Sequence, residues 1–133
     1  MAKRLFRHAE EILPAGSPVI NCHIQQGTDL SPEAVKESFH GARQFFSAQY
    51  KAFLCYSWLL YPPMVQRLPD PSNIKQFAAN FTVIGAFGDP KQAIEYLFGR
   101  GSKKGLPLNA TTLQKLAFEH MELFGFACGL IAL

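Results

Sequence analysis

Two apolar runs and the helix start between them decide the fold: Val19-Ile-Asn-Cys-His-Ile-Gln25, Ser31-Pro32-Glu33 and Ala52-Phe-Leu-Cys-Tyr-Ser-Trp-Leu-Leu60. The first favours β structure with period two, placing Ile20, Cys22 and Ile24 on one face and Val19, Asn21, His23 and Gln25 on the other. Gly27-Thr-Asp-Leu30 turns the chain. Ser31 can cap free helix amides, Pro32 suits the first helical position and Glu33 complements the dipole. Val35, Phe39, Ala42 and Phe46 then recur at helical spacing, which predicts an amphipathic helix to about residue 48. The second run is almost wholly apolar and predicts a central strand over 52–60 with both faces covered. Strand, helix and strand within residues 19–60 make a right-handed unit with parallel strands.

Outward from that unit, Tyr61-Pro-Pro63 stops the strand because proline has no donor for a ladder. Short helices are expected at 63–68 and from Ser72 or Asn73 to Ala79, then a strand over 81–87 and a helix opened by Asp89-Pro90 and running to Phe98. Gly99-Arg-Gly-Ser-Lys-Lys-Gly105 reads as a basic loop. Asn109 or Thr111 starts the last helix, with Leu113, Leu116, Ala117, Met121 and Phe124 on one stripe. Phe126 to Leu133 closes as a fourth strand. Ahead of the unit, residues 3–12 suit a helix and 13–18 a loop, so 1–17 form a lead-in. The result is an α/β (α+β) architecture: a mixed sheet of at least four strands with a central parallel βαβ unit and helices packed on it.

Composition agrees with a single domain over 1–133. Leu, Ile, Val and Phe supply 38 of the 133 residues, well above the level of about 20% at which disorder sets in. The longest apolar stretch, Phe126 to Leu133, falls far short of the ~20 residues a membrane-spanning helix needs. The segment Met1 to Glu11 is basic but lacks the apolar centre of a secretory signal. Cys22, Cys55 and Cys128 are odd in number and embedded in apolar runs, which reads as reduced thiols of a cytoplasmic protein. No Cys-x-x-Cys or His-x-x-x-His pair offers a metal site. A net charge of +3 gives no case for nucleic acid, for which only the 100–104 loop speaks.

Several residues can carry chemistry. His23 faces the polar side of the first strand and can act as a general base near neutral pH; a hydrogen-bonded structural histidine is the plain alternative. Cys55 and Ser57 share a face of the second strand, where His23 could approach them as a nucleophile and base pair, against the ordinary reading of core residues. His120 falls on the apolar stripe of the last helix and reads as a satisfied core histidine. Tyr61 lies where the second strand ends, a place that borders ligand crevices in open sheets, and its phenol can donate a proton; a tyrosine that caps the sheet edge is the plain alternative. Arg100, Lys103 and Lys104 among glycines can bind phosphate, although the spacing is not that of a Walker loop and a solvated loop is the plainer reading. No Gly-x-Gly-x-x-Gly fingerprint is present.

Three segments carry a resemblance: His23-Ile-Gln-Gln-Gly-Thr-Asp-Leu-Ser-Pro-Glu-Ala34, Phe53-Leu-Cys-Tyr-Ser-Trp-Leu-Leu60 and Leu68-Pro-Asp-Pro-Ser-Asn-Ile-Lys-Gln-Phe77, with Phe81-Thr and Thr111-Thr-Leu-Gln114 further on. Over residues 13 to 133 the chain resembles the GNAT-like C-terminal domain of bacterial acyltransferase-domain-containing proteins. The resemblance implies a GNAT-type fold and acyl transfer from acyl-CoA to a small-molecule amine or hydroxyl. It also implies two parallel strands splayed around the pantetheine arm and a pyrophosphate at the following helix N-terminus, a sensible anion site. On this sequence that loop is Gln26, Gly27, Thr28 and Ser31, with His23 as base and Tyr61 as acid. GNAT enzymes have Gln/Arg-x-x-Gly-x-Gly/Ala at this loop, whereas this chain has Gln25-Gln-Gly-Thr-Asp-Leu30, and an aspartate there repels a pyrophosphate. The N-terminal strands of a full GNAT fold have no counterpart in 133 residues. The alternative is therefore a non-catalytic half that completes a fold or interface with an N-terminal partner domain or in a homodimer, burying the Phe126 to Leu133 strand at an edge.

Overall fold

The computed structural model describes residues 16–46, 48–99 and 106–133. The helix expected over 3–12 and the cations Arg100, Lys103 and Lys104 lie outside the described residues. The expected parallel unit is present: β1 (Ile20–Asn21), α1 (Pro32–Phe45) and β2 (Ala52–Ser57), with Ile20 level with Phe53 and Asn21 with Leu54. Two short helices, α2 (Pro62–Gln66) and α3 (Asn73–Ala78), lead to β3 (Thr82–Phe87). Helices α4 (Lys91–Phe98) and α5 (Thr112–Glu119) precede β4 (Phe126–Ala132). The sheet order is β1-β2-β4-β3, and β4 runs antiparallel to both of its neighbours.

Local chemistry explains the helix starts. Ser31 Oγ accepts from the Ala34 amide with Pro32 behind it, and Ser72 Oγ accepts from the Lys75 amide. Thr111 and Gln114 form a reciprocal capping box. α1 and α3 cover one face of the sheet, where the Phe39 ring lies 4.9 Å from Phe53 and Phe77 lies 5.2 Å from Phe81. Val35, Cys55, Leu60, Phe77, Phe81 and Ala127 form the core on that side. A second core gathers Trp58, Leu59, Met64, Ala93, Ala117 and Phe124 beneath α2, α4 and α5.

Five expectations need correction. The first strand pairs only over Ile20–Asn21, with one further bond from the Cys22 amide to the Leu54 carbonyl, rather than over 19–25. The second strand stops at Ser57, because Ser57 Oγ accepts from the Leu59 amide and winds Trp58–Leu60 into a 3-10 turn. Its second face is open at Tyr56, which is 57% exposed. The C-terminal strand is interior, between β2 and β3, so the edges of the sheet belong to β1 and β3. Helix α5 ends at Glu119; His120 caps it and pairs with Glu122 at 3.2 Å instead of joining an apolar stripe.

Candidate functional site

The feature that sets the site is the divergence of β1 from β2. The ladder ends at Cys22, while β2 continues to Ser57 against β4. Beyond the last rung the β1 side is held by α4, not by β2. The Tyr96 hydroxyl donates to the Gln25 carbonyl at 3.2 Å, and the Trp58 amide donates to Gln92 Oε1 at 2.7 Å. α4 is thereby tied to the loop after β1 and to the end of β2. Its Tyr96 ring packs 5.2 Å from Trp58, with Ile24 and Leu30 against the same core. Gln92 and Tyr96 carried no signal in the sequence beyond membership of the helix opened by Asp89-Pro90, yet they frame the divergence.

The loop Gln25 to Ser31 is built by internal bonds. Gly27 turns it at φ +84°, and Thr28 donates to the Gln25 carbonyl from its amide at 3.1 Å and from its hydroxyl at 2.6 Å. The Gln26 amide group reaches the Tyr96 carbonyl at 3.5 Å. Asp29 Oδ1 accepts from the Ser31 amide at 2.8 Å, and that bond holds the Asp29 carboxyl below the usual range and therefore charged. At the N-terminus of α1, Pro32 has no donor and the Ala34 amide is taken by Ser31, so the Glu33 amide alone in that turn is uncommitted. Two carboxylates, Asp29 and Glu33, stand beside it. An anion there meets one amide and two like charges.

His23 is exposed just past the last rung. Side chains alternate along β1, so the register puts Cys22 on the face of Cys55 and His23 on the face of Tyr56. A pair between His23 and Cys55 or Ser57 is therefore excluded: they lie on opposite faces. Ser57 is buried with its hydroxyl engaged by Leu59. Burial and the thiols of Cys22 and Cys128 push Cys55 up to about 12, so it is a thiol at neutral pH and not a nucleophile. Tyr61 is half-buried at the start of α2. Its ring lies over Gly125, where a Cβ would stand 2.7 Å from Cε1 and also collide with the Phe87 carbonyl oxygen. The Tyr61 hydroxyl faces Gly88. Tyr61 thus sits at the β3–β4 corner and His23 on the β1 edge, with β2 and β4 between them in the sheet order. No group of three or more metal-ligating side chains occurs among the described residues, and none of the described helices is long and apolar enough to cross a membrane.

A short parallel pair that opens after its last rung, continued by an antiparallel pair and flanked by helices, defines a mixed α/β domain of the GNAT-like kind. The family model for the GNAT-like C-terminal domain matches residues 2–126, and the chain belongs to that family. Among solved structures, an acyltransferase in complex with decanoyl-CoA superposes with a TM-score of 0.76 at 26% identity, over 92% of this chain and 42% of that one. An acyltransferase in complex with decanoyl-CoA and teicoplanin gives 0.74 at 26% identity, over 89% and 42%. A third complex, with CoA and 10C-teicoplanin, gives 0.74 at 25% identity, over 89% and 42%. The chain therefore spans less than half the length of these relatives. Comparison with curated proteins finds no match.

Proposed function

We propose that this chain is the acyl-CoA half of an acyltransferase that moves an acyl group from the thioester to an amine or hydroxyl of a small molecule. The observation that carries this reading is the divergence of β1 and β2 on a fold shared with acyltransferases in complex with acyl-CoA. Beyond the last rung the Gln25 carbonyl and the Trp58 amide are engaged, so the other backbone amides and carbonyls there are the groups that would hold a pantetheine arm and polarise the thioester carbonyl. Transfer is mainly a matter of positioning the two reactants. The acceptor nitrogen or oxygen attacks the carbonyl carbon, the new bond forms as C–S breaks, and His23 takes the proton lost by the acceptor. Tyr61, two strands across the sheet from His23, passes a proton to the departing thiolate through water. Gln26, Gly27, Thr28 and Ser31 line the pyrophosphate end. Three free cysteines, Cys22, Cys55 and Cys128, support a cytoplasmic setting for the reaction.

The test is calorimetric titration of the chain with acetyl-CoA and longer acyl-CoAs. A micromolar Kd, about −8 kcal/mol, is expected; absence of binding at millimolar ligand removes the reading. His23→Gln should abolish turnover in the active protein without unfolding it, and retained activity removes His23 from the mechanism.

One observation favours a second reading, a non-catalytic half that completes a fold with an N-terminal partner domain or a second copy. Asp29 and Glu33 flank an α1 terminus with a single free amide, a poor seat for a pyrophosphate. If Asp29→Asn is what first permits acyl-CoA to bind, this second reading holds.

A further inference from the structure

The open face of the sheet carries a feature that neither the divergence nor the α1 terminus uses. Tyr56 on β2, Phe126 on β4 and Phe87 on β3 run across neighbouring strands as a row of rings. The centroids are 6.2 Å apart for Tyr56 and Phe126 and 5.0 Å for the stacked pair Phe126 and Phe87. Tyr56 and Phe87 are each about half exposed. Contiguous apolar surface turned to water marks a contact site. The first turns of α4 stand beside this row and leave a groove of about 330 Å³, lined by Tyr56, Phe126, Asp89, Lys91, Gln92 and Glu95. That is the size of a small-molecule site at the lower end of the usual range.

The lining has a chemical bias. Gln92 is committed to the Trp58 amide, which fixes α4 beside the aromatic floor. Asp89 accepts from the Lys91 amide through Oδ1 and keeps its other oxygen. Glu95 has no side-chain partner among the described residues. Two carboxylates thus face one ammonium, that of Lys91. The ring faces of Tyr56 and Phe126 attract a cation as well, through their quadrupoles, and offer a flat surface for stacking. Floor and rim select the same ligand: positive and planar.

We infer that this groove is the acceptor subsite and takes an arylalkylamine, its ring on Tyr56 and Phe126 and its nitrogen held between Asp89 and Glu95. The word acceptor rests on the proposed acyl transfer; the binding does not. The groove lies on the face that the register assigns to His23, at the end of the sheet where β1 and β2 part. The bound ammonium gives one proton to water to become the nucleophile and, on attack, a second to His23; that second proton replaces the one that Tyr61 gives to the departing thiolate. Amide, thiol and released proton then balance ammonium and thioester.

The experiment is an NMR titration of the chain with tryptamine and with its neutral amide, N-acetyltryptamine, with no CoA ester present. Tryptamine is expected to bind at least about tenfold more tightly, with shifts centred on Tyr56, Phe126 and Glu95. Tyr56→Ala, at an exposed position, should weaken tryptamine by about tenfold, and the double substitution Asp89→Asn with Glu95→Gln should bring the two ligands to equal affinity. Equal affinities in the unaltered chain, shifts elsewhere, or no saturation at millimolar tryptamine overturn the subsite. Failure of acyl-CoA to bind leaves this result standing, and acyl-CoA binding without amine discrimination overturns the subsite alone.

Discussion

Gln92→Ala is the sharpest probe of how the site is framed. The Trp58 amide has Gln92 Oε1 as its acceptor at 2.7 Å, and Trp58 itself is 3% exposed. Truncation leaves a buried N–H unsatisfied, which costs about 1–3 kcal/mol. It also frees α4 from the end of β2. With a urea slope of about 1–3 kcal/mol per molar, the unfolding midpoint should fall by on the order of 1 M. Trp58 is the chain's single tryptophan, so its fluorescence reports the transition from the place where the bond is lost. Gln92→Glu keeps an oxygen at the same reach and should recover most of the loss. It will stop short of full recovery by about 0.2–0.5 kcal/mol, from like charge with Glu95 one turn on. An unfolding free energy for Gln92→Ala within about 0.5 kcal/mol of the unaltered chain, or Gln92→Glu falling as far as Gln92→Ala, would refute the account.

Three further outcomes are expected. Gly125→Ala places a methyl against the Phe87 carbonyl and the Tyr61 ring, so thermal unfolding should show a loss of about 1–3 kcal/mol and a displaced Tyr61 ring in NMR spectra. Thr111→Ala removes the capping box of α5 and should cost about 1 kcal/mol in urea melts, with Thr111→Ser nearly neutral. Cys55 stays protonated in the folded chain up to about pH 12, whereas an unfolded thiol ionises near 9. Its contribution is therefore complete below pH 9 and drains away between 9 and about 12, a slope that Cys55→Ala should flatten. In the folded chain at pH 8, thiol reagents should leave Cys55 untouched and act first on half-buried Cys22.

What the sequence declares is what local chemistry decides. Ser31-Pro32, Ser72 and Thr111 announce their helices because a cap needs only residues three positions apart. The parallel unit follows from two apolar runs with a helix between them. The end of β2 is silent, since Trp58, Leu59 and Leu60 are as apolar as the strand before them and only the Ser57 hydroxyl turns the backbone. The parting of β1 from β2 is silent too. It is framed by Tyr96 and Gln92, about 70 and 34 residues from their partners. Alternation along β1 put His23 on the polar side, but which face of β2 that side meets is a matter of register. The place of β4 could not be read from its composition, because an apolar strand looks the same at an edge and in the middle.

That place has a consequence for how the molecule comes into being. β2 and β3 do not pair with each other; both are joined through β4, with Ser57 meeting Ala127 across 70 positions of chain. During synthesis Phe53 to Ser57 and Thr82 to Phe87 emerge with unpaired edges and wait for a strand made later. The sheet closes in one late, long-range step, which is slow and leaves sticky edges open to other chains in the interval. Mutations in β4 should therefore show first as poor yield and aggregation of nascent protein, before any loss is measured in the finished fold.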